Sequence, residues 1–183
     1  GLPESATLML TVSRLHPEKR LDTLFHATRI LNQTQPTGLI VFGAGYLSKK
    51  VRRLAESTAG VCLAGYTKDR DELATVYASA DLMIHGSAAE TFGLGVAEAI
   101  CSGLPIVAPS VGGAADLVTS DCGFLYEPGN AEECAVMVER LMARERLEWL
   151  PGLRRRAKKI STVDEHFQRL FEDYLQRVEN RSV

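Results

Sequence analysis

No stretch of this chain stays apolar for the roughly 18–20 residues that a membrane-spanning helix needs, and its N-terminus lacks the pattern of a secretion signal. Net charge is nearly absent as well, since 21 Lys and Arg stand against 23 Asp and Glu. That balance gives no electrostatic reason to expect nucleic acid or an anionic membrane as partner. Cysteine is sparse, and Cys62, Cys101, Cys122 and Cys134 follow neither zinc-ribbon nor C-x-x-C spacing. Reduced structural thiols are expected, hence a reducing compartment and a cytoplasmic location. Cys62, in an apolar strand, and Cys101, near a helix end, read as small hydrophobes. Internal repeats and low-complexity tracts are missing too. Gly43-Ala44-Gly45 begins like a dinucleotide fingerprint, but Ser48 stands where its third glycine belongs, which argues against a dehydrogenase.

What is present is ordinary globular material. The 183 residues are 45% hydrophobic and 24% charged, enough for one domain with a sizeable core. Apolar β-rich runs at 7–13, 38–42, 61–65, 81–85, 106–108 and 123–126 predict six strands. Helical periodicity falls between them: from Leu21 to Leu31, about Leu47 to Ser57, Asp71 to Ala78, Phe92 to Ile100, Ala114 to Leu117, and Asn130 to about Ala143. Strand and helix in alternation predict an α/β fold, a Rossmann-like doubly wound parallel sheet with helices on both faces. Ligands of such sheets bind beyond the carboxyl ends of the strands. Arg14, Lys19, Gly43, Gly65, Glu90 and Gly113 all lie at such ends.

Residues 1–145 form this domain, and residues 146–183 a C-terminal helical segment. Trp149-Leu150-Pro151-Gly152 is expected to break the helical pattern there. The basic run Leu153 to Lys159 reads as a solvated helix face, without support for a membrane contact. Phe167, Leu170, Phe171, Tyr174, Leu175 and Val178 make an apolar stripe, which reads as a face packing on this domain's sheet. Gly1-Leu2-Pro3-Glu4-Ser5 opens the chain abruptly before a strand, as an excised domain would.

The chain centres on Glu90-Thr91-Phe92-Gly93-Leu94-Gly95-Val96-Ala97-Glu98, which follows the strand ending at His85 and the small-residue loop Gly86-Ser87-Ala88-Ala89. A helix starting near Gly93 offers free N–H groups and a favourable dipole to an anion. Glu90 and Glu98 flank that end, with Glu98 roughly 7–8 Å along the axis. Carboxylates accept hydrogen bonds in pairs, which suits vicinal hydroxyls. A phosphate with hydroxyls on both sides describes a sugar nucleotide.

Glu90 and Glu98 with seven residues between them, and Phe92-Gly93 and Glu98-Ala99 within, resemble the E-x7-E signature of family-four retaining glycosyltransferases. The likeness runs from about Leu8 to about Arg140. It implies the C-terminal, donor-binding half of a two-Rossmann-domain (GT-B) enzyme, whose acceptor-binding N-terminal domain is not in this chain and to which the C-terminal helical segment would cross back. The implied reaction moves a hexosyl group from a UDP- or GDP-sugar to an acceptor hydroxyl, without a metal or other cofactor. By the same resemblance Arg14 and Lys19 hold the donor phosphates, Glu90 faces the sugar ring and Glu98 grips the ribose. Phe92, Gly93 and Leu94 present backbone amides, and Gly43 and Gly65 lie beside the nucleotide. The side chains of Phe92 and Leu94 are expected to pack in the core as well. Gly112-Gly113 with Asp116 resembles the family's G-G-x-x-E with an acid one methylene short. Ser13 and Arg20 stand where the family commonly has glycine, and Gly86-Ser87 where proline-serine is common. His85, closing a buried strand, reads as a hydrogen-bonded structural residue. A nucleotide-sugar epimerase of similar build and a non-catalytic nucleotide-binding module are the alternatives.

Overall fold

The apolar runs pair side by side because the central ones are buried on both faces, where only a parallel sheet covered by helices satisfies backbone and side chains together. A computed structural model describes residues 2–179. The strands are β1 (Thr7–Val12), β2 (Thr37–Phe42), β3 (Val61–Gly65), β4 (Leu82–Ile84), β5 (Ile106–Pro109) and β6 (Gly123–Tyr126). All neighbouring strands run parallel, in the order β3-β2-β1-β4-β5-β6. The connecting helices are α1 (Leu21–Leu31), α2 (Ser48–Glu56), α3 (Arg70–Ala78), α4 (Leu94–Cys101), α5 (Gly113–Leu117) and α6 (Ala131–Met142); α7 (Arg146–Ala157) and α8 (Val163–Glu179) follow. This is the Rossmann-like doubly wound fold. Met9, Leu10, Leu39, Leu82, Met83, Ile84 and Ile106 form its fully buried centre.

Strand order reverses between β1 and β4, which are neighbours although three elements of chain separate β2 from β4. At such a switch point the two following loops turn to opposite faces and leave a crevice. The loop after β1 carries Arg14 and Lys19; the loop after β4 carries Glu90. Topology alone therefore brings the two halves of the sequence motif to one place.

Three expectations fail here. β3 lies at the sheet edge, so Cys62 is exposed rather than buried, and Cys101 is exposed too; Cys122 and Cys134 are the buried thiols. Burial pushes the Cys134 thiol up to about 12. Pro151 does not break the chain's helix but sits inside α7. Only one intrahelical hydrogen bond is forfeited by its missing N–H, while Trp149, Gly152 and Leu153 are buried on the other side. A Cβ on Gly152 would come within 1.7 Å of the Asp121 carbonyl oxygen, so only glycine lets α7 approach so closely. Third, the basic run is not wholly solvated. Arg156 Nε donates to the Leu117 carbonyl at 2.8 Å, and its Nη2 to that of Asp116, which satisfies the free end of α5. Arg155 pairs with Asp121 at 2.7 Å.

Along α8, Phe167 and Phe171 lie on one side with ring centroids 6.3 Å apart, both exposed, and Leu170 is half-buried. The side chains of Tyr174, Leu175 and Val178, the rest of the expected stripe, lie outside the described residues. Among the described residues no helix is long and apolar enough to cross a membrane.

Candidate functional site

A cleft of about 610 Å³ opens at the switch point, lined by Arg14, Lys19, Gly43, Glu90, Gly93, Leu94 and Glu98 among others. Residues from positions 14 to 98 thus share one rim. Gly65 lines a second cavity of about 450 Å³, which meets the first at Gly43, Ala44 and Tyr66. Phe92 lines neither. Its side chain is 47% exposed and that of Leu94 66%, so neither packs in the core as expected. The reason is the start of α4: Gly93 is its N-cap in the left-handed region, which turns Phe92 and Leu94 outward while Val96, Ala97 and Ile100 face the sheet.

Lys19 and Glu90 meet at the cleft floor. Lys19 ends a single 3-10 turn (Pro17–Lys19) and is almost buried, its side chain 9% exposed; Nζ contacts Glu90 Oε1. The chain can turn there because Arg20 adopts a left-handed conformation, with φ of 43°. That strain explains why the resembling family favours glycine at this position. Arg14 is the opposite case, 78% exposed and, among the described residues, paired only with Glu18 at 3.2 Å. One cation is buried and the other exposed.

His85 lies beneath the pair. Its Nε2 is 3.5 Å from Glu90 Oε1 but makes no hydrogen bond in that geometry, and neither does Nδ1, although the ring is buried. Among the described residues the ring thus lacks the hydrogen bond expected of a structural histidine; the residue is held by its backbone, whose N–H donates to the Val107 carbonyl at 2.8 Å and whose carbonyl accepts from Tyr126 Oη at 2.8 Å. The neighbouring His85 imidazole and the Lys19 ammonium hold the Glu90 carboxyl at about 2, against the opposing effect of burial. Glu90 is an anion throughout the physiological range.

Glu98, one turn into α4, accepts from Tyr77 Oη at 2.9 Å. Burial, and then the Glu98 carboxylate, raise the Tyr77 phenol well above its ordinary range. Tyr77 gave no sequence signal beyond helical periodicity. The Glu90 loop is pinned from the far side, where Gly113 N–H donates to the Glu90 carbonyl at 2.7 Å. A Cβ on Gly113 would come within 2.2 Å of the Thr91 carbonyl oxygen. So the Gly112-Gly113 pair seats α5 against the motif, while Asp116 is exposed and its carbonyl accepts from Arg156. Among the described residues no group of three or more His, Cys, Asp or Glu is arranged to hold a metal ion.

Residues 1–162 match the profile of the glycosyl transferases group 1 family. The chain belongs to that family. Among curated relatives of this glycosyltransferase chain, the sulfoquinovosyl transferase of Arabidopsis thaliana is 33% identical over 146 residues, 78% of this chain and 28% of that protein. A GDP-mannose-dependent alpha-mannosyltransferase of Mycobacterium tuberculosis is 37% identical over 131 residues, 71% of this chain and 32% of its own. The chain thus spans about a third of the length of such relatives. Of solved structures, S. aureus TarM shares the fold with a TM-score of 0.79 at 20% identity, covering 94% of this chain and 36% of TarM. Anabaena HepE, solved with UDP and glucose, gives 0.75 at 25% identity, with 93% of this chain and 48% of HepE covered. These neighbours are GT-B glycosyltransferases. Membership of a transferase family does not favour the epimerase or the non-catalytic module.

Proposed function

We propose that this glycosyltransferase chain is the donor-binding half of a retaining enzyme that moves a hexosyl group from a UDP- or GDP-sugar to an acceptor hydroxyl. The observation that carries the reading is the buried Lys19–Glu90 contact at the floor of a cleft that Arg14 and Glu98 also line. An ionised Glu90 beside the sugar opposes positive charge growing at the anomeric carbon. Lys19 and the exposed Arg14 neutralise the departing diphosphate, which places fixed charge where the transition state develops it and asks for no metal. Free amides at the start of α4 add a further anion cradle. Glu98 holds the ribose hydroxyls. Gly43, Gly65, Gly93, Leu94 and Phe92 supply backbone along the nucleotide and sugar. The GDP-mannose-dependent relative and the UDP bound in HepE support a nucleotide-sugar donor. The acceptor belongs to a further domain, against which α8 packs.

Calorimetry with UDP, GDP and their hexose conjugates tests the site. One base series is expected to bind, and Arg14→Ala and Glu98→Ala each to weaken it about tenfold, the worth of one charge-assisted contact. If neither substitution weakens binding, the site assignment is wrong. Retention is read separately, from the anomeric configuration of the product once the acceptor half is supplied.

A further inference from the structure

Resting on the reading of Glu98 as the ribose ligand, we infer that Tyr77 is a positioning residue that fixes this carboxylate for the ribose diol. Tyr77 comes from α3, its ring buried and its hydroxyl directed at α4. Two acceptors compete for its single proton, Glu98 Oε2 at 2.9 Å and the Gly95 carbonyl at 3.3 Å. The carboxylate wins, being closer and charged, and a charge-assisted bond is roughly twice as strong as a neutral one. Among the described residues Glu98 Oε1 has no hydrogen-bond partner.

The consequence is geometric. A glutamate on the first turns of a helix has three rotatable bonds and scatters among rotamers unless something holds it. Tyr77 holds one oxygen from the core side, so the carboxylate meets the ligand already oriented and with its second oxygen free. Ordering is done before binding, which raises affinity without any contact between Tyr77 and ligand. The phenol stays protonated across the working pH range because the burial and the negative charge beside it both favour the neutral form. It therefore donates and never repels.

The test compares Tyr77→Phe with wild type against two ligands: whichever of UDP and GDP binds more tightly, and its 2′,3′-dideoxy counterpart. Phenylalanine keeps the buried ring, and thermal unfolding checks that the fold survives. Tyr77→Phe is expected to weaken the ribonucleotide about fivefold, the equivalent of one lost hydrogen bond, and to leave the dideoxy ligand unchanged. In a Glu98→Gln background the same change is expected to do nothing further to either ligand. Equal losses for both ligands would show a merely structural tyrosine and overturn the inference. So would a ribose preference untouched by Tyr77→Phe, which leaves Glu98 as ribose ligand intact. A wild type that binds both ligands equally well, or binds neither, overturns the Glu98 assignment itself and the inference with it.

Discussion

Lys19 and Glu90 stand 71 positions apart in sequence and touch in the fold, so the state of each depends on the other. Held at about 2 from an ordinary 4.5, Glu90 binds fewer protons folded than unfolded between those two values. Its contribution is therefore complete above about pH 4.5 and lost as pH falls toward 2. Lys19→Met strands the carboxylate with only His85 beside it. We expect urea unfolding at pH 7 to show a loss of about 2–3 kcal/mol, and the acid limb of the stability curve to move to higher pH. Adding Glu90→Gln should recover most of that loss, since no stranded charge then remains. At Arg20 the sign is reversed. Its left-handed backbone suits glycine, so Arg20→Gly should gain about 0.5–1 kcal/mol in thermal unfolding despite the added freedom of the unfolded chain.

Among the elements, α7 and β3 departed from expectation, and for related reasons. Local rules read Pro151 as a stop, yet burial of Trp149 and Leu153 beside Gly152 outweighs one missing hydrogen bond. Pro151→Ala, at an exposed position, should then stabilise the protein by about 1–3 kcal/mol. Gly152→Val should do the reverse, because its Cβ meets the Asp121 carbonyl; a loss of about 3 kcal/mol or more, or failure to fold at 37 °C, is expected. β3 has the composition of a buried strand but takes the sheet edge. Native-state alkylation followed by mass spectrometry should accordingly modify Cys62 and Cys101 and spare Cys122 and Cys134. Cys62 should react first, since burial and then Glu98 raise the Cys101 thiol.

At the scale of the whole molecule, the cleft is built from the segments that follow β1, β2, β3 and β4. In a glycosyltransferase chain a third of its relatives' length, the exposed apolar residues that line the cleft, Leu94 and Tyr66, face away from the core. We expect this polypeptide alone to bind nucleotide weakly, with a Kd in the high micromolar range or above, because water competes at an open, unclosed site. Turnover should be negligible until the acceptor half is supplied in cis or in trans. Transfer by the purified chain at the rate of a two-domain relative would falsify this.

Much of this was legible in one dimension. Alternating apolar runs determine a parallel α/β sheet because a strand buried on both faces has no other stable environment, and chain order then dictates which loops meet at the switch point. For that reason Arg14, Lys19, Glu90 and Glu98 could be named from spacing and family likeness before any coordinates. The partners of those residues could not be. That Tyr77 reaches Glu98, that the buried His85 ring has no hydrogen bond among the described residues, that Arg156 closes α5 and that α7 runs through Pro151 all depend on contacts between distant segments. Short-range pattern records what a residue prefers; only close packing in three dimensions decides which preference is overruled and which atom stands opposite.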